Sequence, residues 1–412
     1  MNKQDLIVGV DIGSTKVAVC IGTANEGIVS IISLTKAVNS GMRKGTVVDI
    51  EDCISSISTA LELAENAINS SISSAFIAIG GNHTSVASSR GVIAVSRPNG
   101  EITETDVERV IEASRAIALP PNKEIIHVIP KYYIVDGLDN IKDPIGMSGV
   151  RLEVETLIVA GQTSAIRNLT KCVNQAGLNI DGLIYSPIAS AKTLLNKKQK
   201  ESGVLLLDIG GGTTSFVIFE EKDIIHAGII PIGSSHITND IAIGLKTSLE
   251  NAEKIKIKFG YADSSKIRES EKIEMRKIVP SDDTKFEKKL VAEIIEARLK
   301  EIFDKIKNEL RSVGKDSMLP AGAVLTGGGS SLEGIVELAK TELELPAQLG
   351  IPSLEISGMV DNIDNPIYST SIGLMIEGYE QNQPTNFRFS LPKENISNIV
   401  EVIKHWLKKF LP

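Results

Sequence analysis

The stretch LLLDIGGGTTSFVIF, which runs from Leu205 to Phe219, contains an unusual turn between two apolar strands. The first strand ends at Asp208, and the three glycines 210–212 lead almost directly into the second strand. A β-hairpin needs only a two-residue turn such as Asn-Gly or Asp-Gly, and three consecutive glycines lose backbone entropy when the chain folds. We therefore expect the turn to have a function that compensates for this cost.

A related stretch, LIVGVDIGSTKVAVCIG, lies near the start of the chain, from Leu6 to Gly22. When Asp11 is aligned with Asp208, both stretches show an apolar strand, Asp-Ile-Gly, a small or hydroxylated turn and a second strand. The two copies are about half a chain apart. This spacing predicts two similar lobes that each contribute one turn to a shared cleft.

Both turns have the composition of a phosphate-binding loop. Glycine lets main-chain N–H groups approach phosphate oxygens and permits the backbone geometry of an anion-binding nest. The predicted phosphate-binding residues are Gly13, Ser14, Thr15, Lys16, Gly210, Gly211, Gly212, Thr213 and Thr214. Asp11 and Asp208 are predicted to hold Mg²⁺, mostly through water, because this ion keeps most of its hydration shell. One such turn alone would favour a plain hairpin, whereas two matched copies favour phosphate.

A third glycine cluster occurs in AVLTGGGSSLEG, residues 323–334. It predicts a strand, a turn at Gly327–Gly329, and a helix capped by Ser330 or Ser331. In isolation an ordinary strand-to-helix turn is the better interpretation. Together with the other two turns, Gly327, Gly328, Gly329 and Ser330 are predicted to contact adenine or ribose. The chain has no GxxxxGK[ST] motif, so it is not a P-loop protein.

The remaining pattern is mixed α/β. Apolar periodicity predicts helices at Glu51–Ile68, at Thr163–Gln175 and from about Thr284 to Ser312, and a strand at Ala75–Ile79.

Composition excludes several classes of function. The 412 residues carry a formal net charge of −8, which argues against nucleic acid as a main partner. The three cysteines and five histidines show no disulfide or metal-ligand spacing. We expect a cytosolic chain, since there is no signal-peptide pattern and no apolar run near the ~18 residues of a membrane span.

The last residues form an amphipathic pattern behind a polar, proline-containing stretch, YEQNQPTNFRFSLPKEN. We interpret that stretch as a flexible linker, and the segment after it as a helix that lies in the interface of an anionic membrane. The alternative is a final helix docked on the protein's own core. The predicted membrane-contacting residues are Ile396, Ile399, Val400, Ile403, Lys404, Trp406, Leu407, Lys408, Lys409 and Phe410.

The three glycine-containing stretches resemble, in order, the phosphate 1, phosphate 2 and adenosine motifs of the actin-like ATPase superfamily. Within it the chain is similar to the FtsA family of bacterial cell-division proteins. The family-specific similarity lies in GMRKGTVVDIED (41–52), in residues 127–161, which begin HVIPKYY, and in NPIYSTSIGLMIEG (365–378). The resemblance covers essentially the whole chain.

The resemblance implies an α/β, actin-like (ribonuclease H-like) fold of two lobes with a relocated small subdomain in lobe I. The implied divisions are residues 1–81, 161–194 and 361–380 for the main subdomain of lobe I, 82–160 for the inserted subdomain, 195–226 and 305–360 for the main subdomain of lobe II, 227–304 for a second small subdomain, 381–394 for the linker and 395–412 for the membrane helix.

The resemblance also implies partners. Family members bind ATP with Mg²⁺, polymerise head to tail, bind the C-terminal peptide of FtsZ through the second small subdomain, and tie FtsZ filaments to the inner face of the cytoplasmic membrane at the division site. Later division proteins are expected at residues 82–160. Arg298 and, less closely, Lys289 match FtsZ-tail contacts, and Glu253 and Lys256 are expected near ribose and adenine. Without the resemblance, these four would be charged residues on solvent-exposed helices.

One difference from the superfamily concerns catalysis. Several actin-like proteins orient the attacking water with a carboxylate or amide near the start of the helix that follows residue 184 of this chain. Here that place is taken by Tyr185 and Ser186, neither of which is a strong base near neutral pH. We expect tight ATP binding and slow hydrolysis at most. The alternative functions are a PilM-like scaffold of a pilus or secretion machine and, less well supported, a small-molecule kinase.

Overall fold

The computed structural model describes residues 6–25, 28–97, 99–116, 119–352 and 363–382. The predicted linker beyond residue 382 and the predicted membrane helix, with its ten membrane-contacting residues from Ile396 to Phe410, lie outside the described residues. None of the helices in the described ranges combines the length and the apolar run that a membrane crossing requires.

The strands are β1 (Ile7–Ile12), β2 (Lys16–Asn25), β3 (Ile28–Val38), β4 (Met42–Arg43), β5 (Thr46–Val47), β6 (Ser74–Ile79), β7 (Thr84–Ala94), β8 (Lys123–Val135), β9 (Leu138–Ile141), β10 (Arg151–Gln162), β11 (Asn179–Tyr185), β12 (Val204–Ile209), β13 (Thr214–Glu220), β14 (Asp223–Ile230), β15 (Lys272–Glu274), β16 (Lys285–Glu287), β17 (Ala323–Thr326) and β18 (Ala347–Leu349).

The α-helices are α1 (Ile50–Ile68), α2 (Glu104–Ser114), α3 (Thr163–Gln175), α4 (Ser186–Leu194), α5 (Lys197–Ser202), α6 (Ser234–Leu245), α7 (Leu249–Phe259), α8 (Lys288–Ser312), α9 (Ile335–Leu343) and α10 (Ser369–Asn382). Short 3₁₀ helices occur at Ser264–Lys266, Met275–Lys277, Gly328–Ser331 and Pro366–Tyr368.

Two five-stranded sheets repeat the same plan, with the orders β11-β6-β1-β2-β3 and β14-β13-β12-β17-β18. In each, three antiparallel strands are followed by a strand that pairs in parallel with the first. The register also repeats, since Asp11 lies opposite Ala18 and Asp208 lies opposite Ser215. The internal repeat predicted two similar lobes, and this prediction is confirmed.

Burial explains why the two central strands are nearly continuous apolar runs. β1 and β12 are covered on both faces, and such strands do not alternate in polarity. In each strand the aspartate is the one residue that is only partly buried. The sheet therefore places one carboxylate of each lobe at the end of a buried strand.

Two helices cross between the lobes. α4 follows β11 of the first sheet but contacts β12 and β13 of the second. α10 follows the second lobe but packs on the first, where Ile372 and Met375 share a core with Ile7 and Cys20. The two helices approach so closely that a Cβ on Gly373 would overlap with the carbonyl oxygen of Ala189.

A separate four-stranded sheet, in the order β7-β10-β8-β9, is inserted between β6 and α3. Helix α2 covers one face, and Val107, Val110 and Ile111 pack on Leu152 and Val154. The inserted sheet contacts β14 of the second lobe through β7, β8 and β10. Lys142 also forms an ion pair with Asp223 at the start of β14. The predicted subdomain boundaries, 82 and 160, stay a prediction.

Two predicted helix starts are wrong. α8 begins at Lys288 and not near Thr284, because Lys285–Glu287 pairs with Lys272–Glu274 as a small two-stranded sheet. After the third glycine cluster, residues 328–331 form a 3₁₀ helix, and α9 begins only at Ile335 with Gly334 as its N-cap. Neither Ser330 nor Ser331 caps an α-helix.

The crossing of α4 and α10 predicts a steric requirement at Gly373. A Gly373→Ala substitution should lower the free energy of unfolding by about 3 kcal/mol, since inserting a methyl group into a packed contact costs roughly 1–3 kcal/mol and here it meets backbone. Denaturant unfolding would measure this loss.

Gly328→Ala is the matched control, because the nearest atom to its added Cβ is 3.7 Å away on the Ile367 side chain. It should change the free energy of unfolding by less than about 1 kcal/mol. Equal losses in both variants would contradict the proposed contact.

Candidate functional site

The two predicted phosphate turns have the same backbone hydrogen bond. The N–H of Gly13 donates to the carbonyl of Lys16 at 2.8 Å, and the N–H of Gly210 donates to the carbonyl of Thr213 at 2.9 Å. Each turn follows directly on the strand that ends with an aspartate. The two halves of the chain therefore present the same loop, which is named loop 1 (residues 11–16) or loop 2 (residues 208–213).

The tips of loop 1 and loop 2 touch, which explains the glycines in loop 2. A Cβ on Gly211 would come within 2.7 Å of the Thr15 hydroxyl oxygen, and one on Gly212 within 2.6 Å of the Ser14 hydroxyl oxygen. These distances are too short for non-bonded atoms, so only glycine permits this approach. The contact between the lobes therefore accounts for Gly211 and Gly212, two of the three glycines.

The third glycine segment lies beside Asp208, because β17 pairs in parallel with β12 and places Thr326 next to Asp208. Gly327 has φ +81°, and a Cβ there would overlap with Asp208 Oδ1. A Cβ on Gly329 would come within 2.9 Å of the Ile209 carbonyl. Glycine is therefore needed here for close backbone packing around the carboxylate.

A cavity of about 1010 Å³ opens between these three segments. Its lining contains the predicted residues Asp11, Gly13, Ser14, Thr15, Lys16, Asp208, Gly210, Gly211, Gly212, Thr213, Glu253, Lys256, Gly327, Gly328 and Gly329. The fold thus brings together residues that are more than 300 positions apart in the chain.

The structure does not bring Thr214 and Ser330 to the cavity lining. Thr214 is fully buried, and its hydroxyl donates to the carbonyl of Ile232 at 2.9 Å. Side chains alternate along a strand, so Thr214 points away from the side that Thr213 faces. The Ser330 hydroxyl donates to the carbonyl of Gly327 at 2.7 Å and stabilises the 3₁₀ turn.

The two aspartates have different surroundings. Lys16 Nζ donates to Asp11 Oδ2 at 2.9 Å, so the charge of Asp11 is paired within its own loop. At the aligned position of loop 2 the residue is Thr213, which has no charge. Burial and the negative charge of Asp11 raise the pKa of Asp208, against the smaller lowering effect of Lys16 and of two hydroxyl groups.

The two hydroxyl groups near Asp208 belong to Ser190 on α4 and Thr370 on α10. Both donate to Asp208 Oδ2 at 3.1 Å. Neither residue is among those predicted from the sequence. The available signal was a hydroxyl group in an otherwise apolar helical segment, in PIASA and in YSTSIG.

The other end of the cavity is lined by α7. Lys256 is only 6% exposed. Its ammonium group contacts the Ser234 carbonyl (3.2 Å), the Thr238 hydroxyl (2.8 Å) and Glu253 Oε2 (2.7 Å). Burial lowers the pKa of Lys256, while the neighbouring Glu253 raises it. The solvent-exposed interpretation of this lysine is wrong, because α6 covers it.

Loop 2 is also supported by the start of α6, a helix that was not predicted from the sequence. The N–H groups of Ser234 and Ser235 donate to the carbonyls of Gly210 and Gly211 at 2.9 and 2.8 Å. The signal in the sequence was the Gly-Ser-Ser stretch at residues 233–235, which is a typical helix start. These bonds fix the orientation of the two carbonyls of loop 2.

A small ribbon formed by β4 and β5 reaches loop 1 at its tip. The N–H of Gly45 donates to the Ser14 hydroxyl at 3.0 Å, and Gly45 has φ +73° and packs on Gly80 and Gly81. All three glycines line the cavity. This ribbon belongs to the GMRKGTVVDIED stretch, whose position at the cavity the sequence alone did not reveal.

The position expected to hold a catalytic base has none. Ser186 lines the cavity, and Tyr185 is fully buried. Burial raises the pKa of the Tyr185 hydroxyl, so it stays protonated at neutral pH. The main-chain N–H of Tyr185 donates to Nε2 of His127. Neither side chain can accept a proton readily near pH 7.

Arg298 and Lys289 lie apart on α8. Arg298 lines a surface groove of about 430 Å³ together with Asp240, Ile243, Gly244, Ile294, Ala297 and Glu301. Its guanidinium binds both oxygens of Asp240, at 2.7 and 3.0 Å, and contacts Glu301. Lys289 is outside this groove, nine residues and about 13.5 Å along the helix, and pairs with Glu269.

Comparison with protein families identifies two matching models. A model described as cell division protein FtsA matches residues 205–373, and a model described as the SHS2 domain inserted in FtsA matches residues 81–160. The second match covers the inserted four-stranded sheet almost completely.

Curated relatives match nearly the whole chain. A cell division protein FtsA from Pseudomonas aeruginosa is 36% identical over 410 residues, which covers 98% of this chain and 97% of the relative. The FtsA of Bacillus subtilis is 36% identical over 401 residues, covering 97% and 90%. The FtsA of Escherichia coli K12 is 32% identical over 417 residues, covering 98% of each.

Solved structures show the same fold at low identity. A PilM–PilN type IV pilus biogenesis complex matches with a TM-score of 0.67 and 16% identity, covering 90% of this chain and 98% of the other. MreB5 of Spiroplasma citri bound to ADP matches with a TM-score of 0.52 and 13% identity, covering 91% and 95%. The predicted actin-like fold is confirmed.

The surroundings of Asp208 predict a pH-dependent effect on stability. Because its pKa is raised in the folded protein, ionisation opposes folding, and this cost is absent at low pH and grows as the pH rises through the folded pKa. Asp208→Asn removes it, so the variant should exceed the wild type in free energy of unfolding at pH 8 by about 1.4 kcal/mol per unit of pKa shift. The difference should shrink on acidification towards pH 4.

Asp106→Asn should show the opposite trend. Although burial alone would raise the pKa of Asp106, hydrogen bonds from Thr103 and the charge of Arg109 lower this pKa. The stabilisation from Asp106 is present at neutral pH and is lost only as the pH falls below the ordinary carboxyl pKa of 3.8 towards the lower folded pKa, so the deficit of this variant should shrink below about pH 4. Denaturant unfolding without nucleotide or metal would measure both trends, from pH 8 to pH 4 for Asp208→Asn and from about pH 5 to about pH 2 for Asp106→Asn. A difference from the wild type that does not change with pH in these ranges would contradict the assignment.

Proposed function

Because the chain belongs to the FtsA family of cell-division proteins, we propose that it is an ATP-binding filament protein that anchors FtsZ filaments to the cytoplasmic membrane. The observation that carries the ATP proposal is the meeting of loop 1 and loop 2, each with a carboxylate at its base, at the end of a large cavity. The family membership supports the partners.

The residues in the cleft fit Mg-ATP. Loop 2 offers three consecutive glycines and loop 1 offers Gly13 with the Ser14 and Thr15 hydroxyls, which suits phosphate oxygens. Asp11 and Asp208 are hard oxygen donors of the kind that Mg²⁺ prefers. The cavity of about 1010 Å³ is at the upper end of the usual range for ligand sites. Bound Mg²⁺ would neutralise phosphate charge and would lie near Asp208, with which Lys16 forms no ion pair.

The adenosine end is assigned to α7 and the third glycine segment. Glu253 lines the cavity with a half-exposed carboxylate that can accept hydrogen bonds from ribose hydroxyls. Gly327–Gly329 offer a flat backbone surface without side chains. Lys256 acts by holding Glu253, since its ammonium group already contacts Glu253 and two oxygens of α6.

ATP serves mainly as a structural or switching ligand. Efficient hydrolysis needs a group that orients and deprotonates water, and at the expected position the cavity offers only Ser186 beside the buried Tyr185. We therefore propose slow turnover. A small-molecule kinase would also need a base directed at a second substrate, and the PilM likeness, at 16% identity, supports the fold alone.

The partners follow from the family membership. The groove around Arg298 is the proposed site for the FtsZ C-terminal peptide, with Ile243 and Ile294 as apolar contacts and Arg298 as the cation. Lys289 is outside the groove and is assigned only a peripheral role. Later division proteins are assigned to residues 82–160, head-to-tail contacts to further copies of the chain, and the anionic membrane to residues 395–412.

Nucleotide binding can be tested with two lysines of α7. Lys256→Met should weaken Mg-ATP binding at least tenfold, because it releases Glu253 and opens the α6–α7 contact at the cavity. Lys254→Met is the matched control, since Lys254 is half exposed and its ion pair within the described part of the chain is with Glu250. The affinity of this variant should equal that of the wild type. Isothermal titration calorimetry would measure both.

The same preparations test the nature of the activity. Wild-type protein that binds no ATP in the calorimeter would contradict the nucleotide proposal. Phosphate release at a rate near 10 s⁻¹, typical of an efficient enzyme, would refute slow turnover.

The two attachment functions should be separable. Deletion of residues 395–412 should abolish co-sedimentation with anionic liposomes and leave binding of the FtsZ C-terminal peptide intact. Arg298→Ala should weaken peptide binding about tenfold, as expected for loss of a charged hydrogen bond, and leave liposome binding intact. Lys300→Ala, on the same helix but outside the groove, is the control. Liposome binding by the truncated protein would contradict the proposed membrane contact of residues 395–412.

A further inference from the structure

Two hydroxyl groups that do not belong to the second sheet hold the carboxylate of Asp208. Ser190 Oγ, on α4, and Thr370 Oγ1, on α10, both lie 3.1 Å from Asp208 Oδ2 and 2.9 Å from each other. Ser190 is fully buried and Thr370 is 5% exposed. Both of the helices that cross between the lobes therefore contact the same carboxylate oxygen, Oδ2.

The two hydroxyl protons have Oδ2 as their strongest acceptor. Each hydroxyl has one proton, and the acceptors in reach are Asp208 Oδ2, the other hydroxyl and, for Ser190, the carbonyl of Ser186 at 3.2 Å. If Ser190 donates to Thr370, the Thr370 proton is left to donate to Oδ2; if Thr370 donates to Ser190, the Ser190 proton can go to Oδ2 or to the Ser186 carbonyl. Because the carboxylate is the charged acceptor, bonds to it are the stronger ones.

The other oxygen, Oδ1, has a different situation. Within the described residues no side chain or N–H group donates to it, and the Gly327 backbone packs beside it. Asp208 also lines the cavity. The hydroxyl pair thus occupies Oδ2 and leaves Oδ1 as the oxygen that can accept a bond from a metal-bound water.

The internal repeat shows that this arrangement is specific to one lobe. Asp11 is held by Lys16, which neutralises its charge, whereas hydroxyl groups orient Asp208 without neutralising it. Of the two carboxylates, Asp208 therefore has more to gain from a divalent cation.

We propose that Ser190 and Thr370 are positioning residues that orient Asp208 for Mg²⁺ and make metal binding depend on the crossing of α4 and α10. This inference rests on the proposed function. The Mg²⁺ dependence of nucleotide binding is then controlled by two residues that lie outside both phosphate loops.

The test measures the affinity for a fluorescent ATP analogue at a series of free Mg²⁺ concentrations. Thr370→Val, which removes the hydroxyl but keeps the shape, should raise the Mg²⁺ concentration for half-maximal effect about tenfold. Its affinity in EDTA should stay within about twofold of the wild type. Ser190→Ala should act in the same direction, and Thr370→Ser, which retains the hydroxyl, should restore the wild-type Mg²⁺ dependence.

Thr193→Val is the matched control. Thr193 is another buried hydroxyl of α4, but it donates to the Ser369 carbonyl at 2.7 Å and not to Asp208. Its Mg²⁺ dependence should equal that of the wild type, and thermal unfolding without metal would show whether each variant folds.

The outcomes separate this inference from the proposed function. Wild-type protein that binds no ATP analogue in Mg²⁺ would overturn both. If the wild type binds and Thr370→Val and Ser190→Ala keep its Mg²⁺ dependence, the inference is wrong and the proposed function stands. The same conclusion follows if the two variants lose affinity equally in EDTA and in Mg²⁺, because the hydroxyls would then support the fold alone.

Discussion

The direct contact between loop 1 and loop 2 is the constraint on which the rest of the cleft depends. Gly211 and Gly212 meet Thr15 and Ser14 at distances that leave no room for a side chain. This contact fixes the separation of the two sheets at their carboxylate ends. The same close approach recurs deeper in the molecule, where α4 and α10 cross at Ala189 and Gly373. Small residues at both places let two lobes share one cleft.

The two copies of the internal repeat share their strand register and differ in the chemistry around the aspartate. The register and the turn hydrogen bond are the same in both lobes, yet Asp11 forms an ion pair with Lys16, whereas Asp208 forms none with any described residue. A symmetric site would offer a bound cation two carboxylates with the same surroundings. The asymmetry gives the second lobe the uncompensated negative charge, and burial makes that charge costly until a cation is bound.

Local patterns were sufficient to predict the parts of the site that depend on a few neighbouring residues. The two loops, the third glycine segment and the lobes that carry them follow from stretches of about fifteen residues. Predictions failed where a short pattern has two readings: Thr214 points away because strand side chains alternate, and Ser330 bonds its own turn.

Other features require the tertiary fold itself. Ser190 and Thr370 are 18 and 162 positions from Asp208, and only the helix crossing brings them together. Similarly, Lys256 is on a helix whose sequence suits a solvent-exposed face, and its burial depends on α6. The start of α8 was misplaced because a three-residue strand pairing is too short to leave a periodic signal.

The inserted sheet connects the two lobes. It leaves and re-enters the first lobe, at β6 and α3, yet it rests on β14 of the second lobe through three of its strands and the Lys142–Asp223 pair. The insert also contacts β11 and α3 of the first lobe, so it packs on both lobes at once. A change in the relative position of the lobes would therefore have to break or shift one of these two sets of contacts.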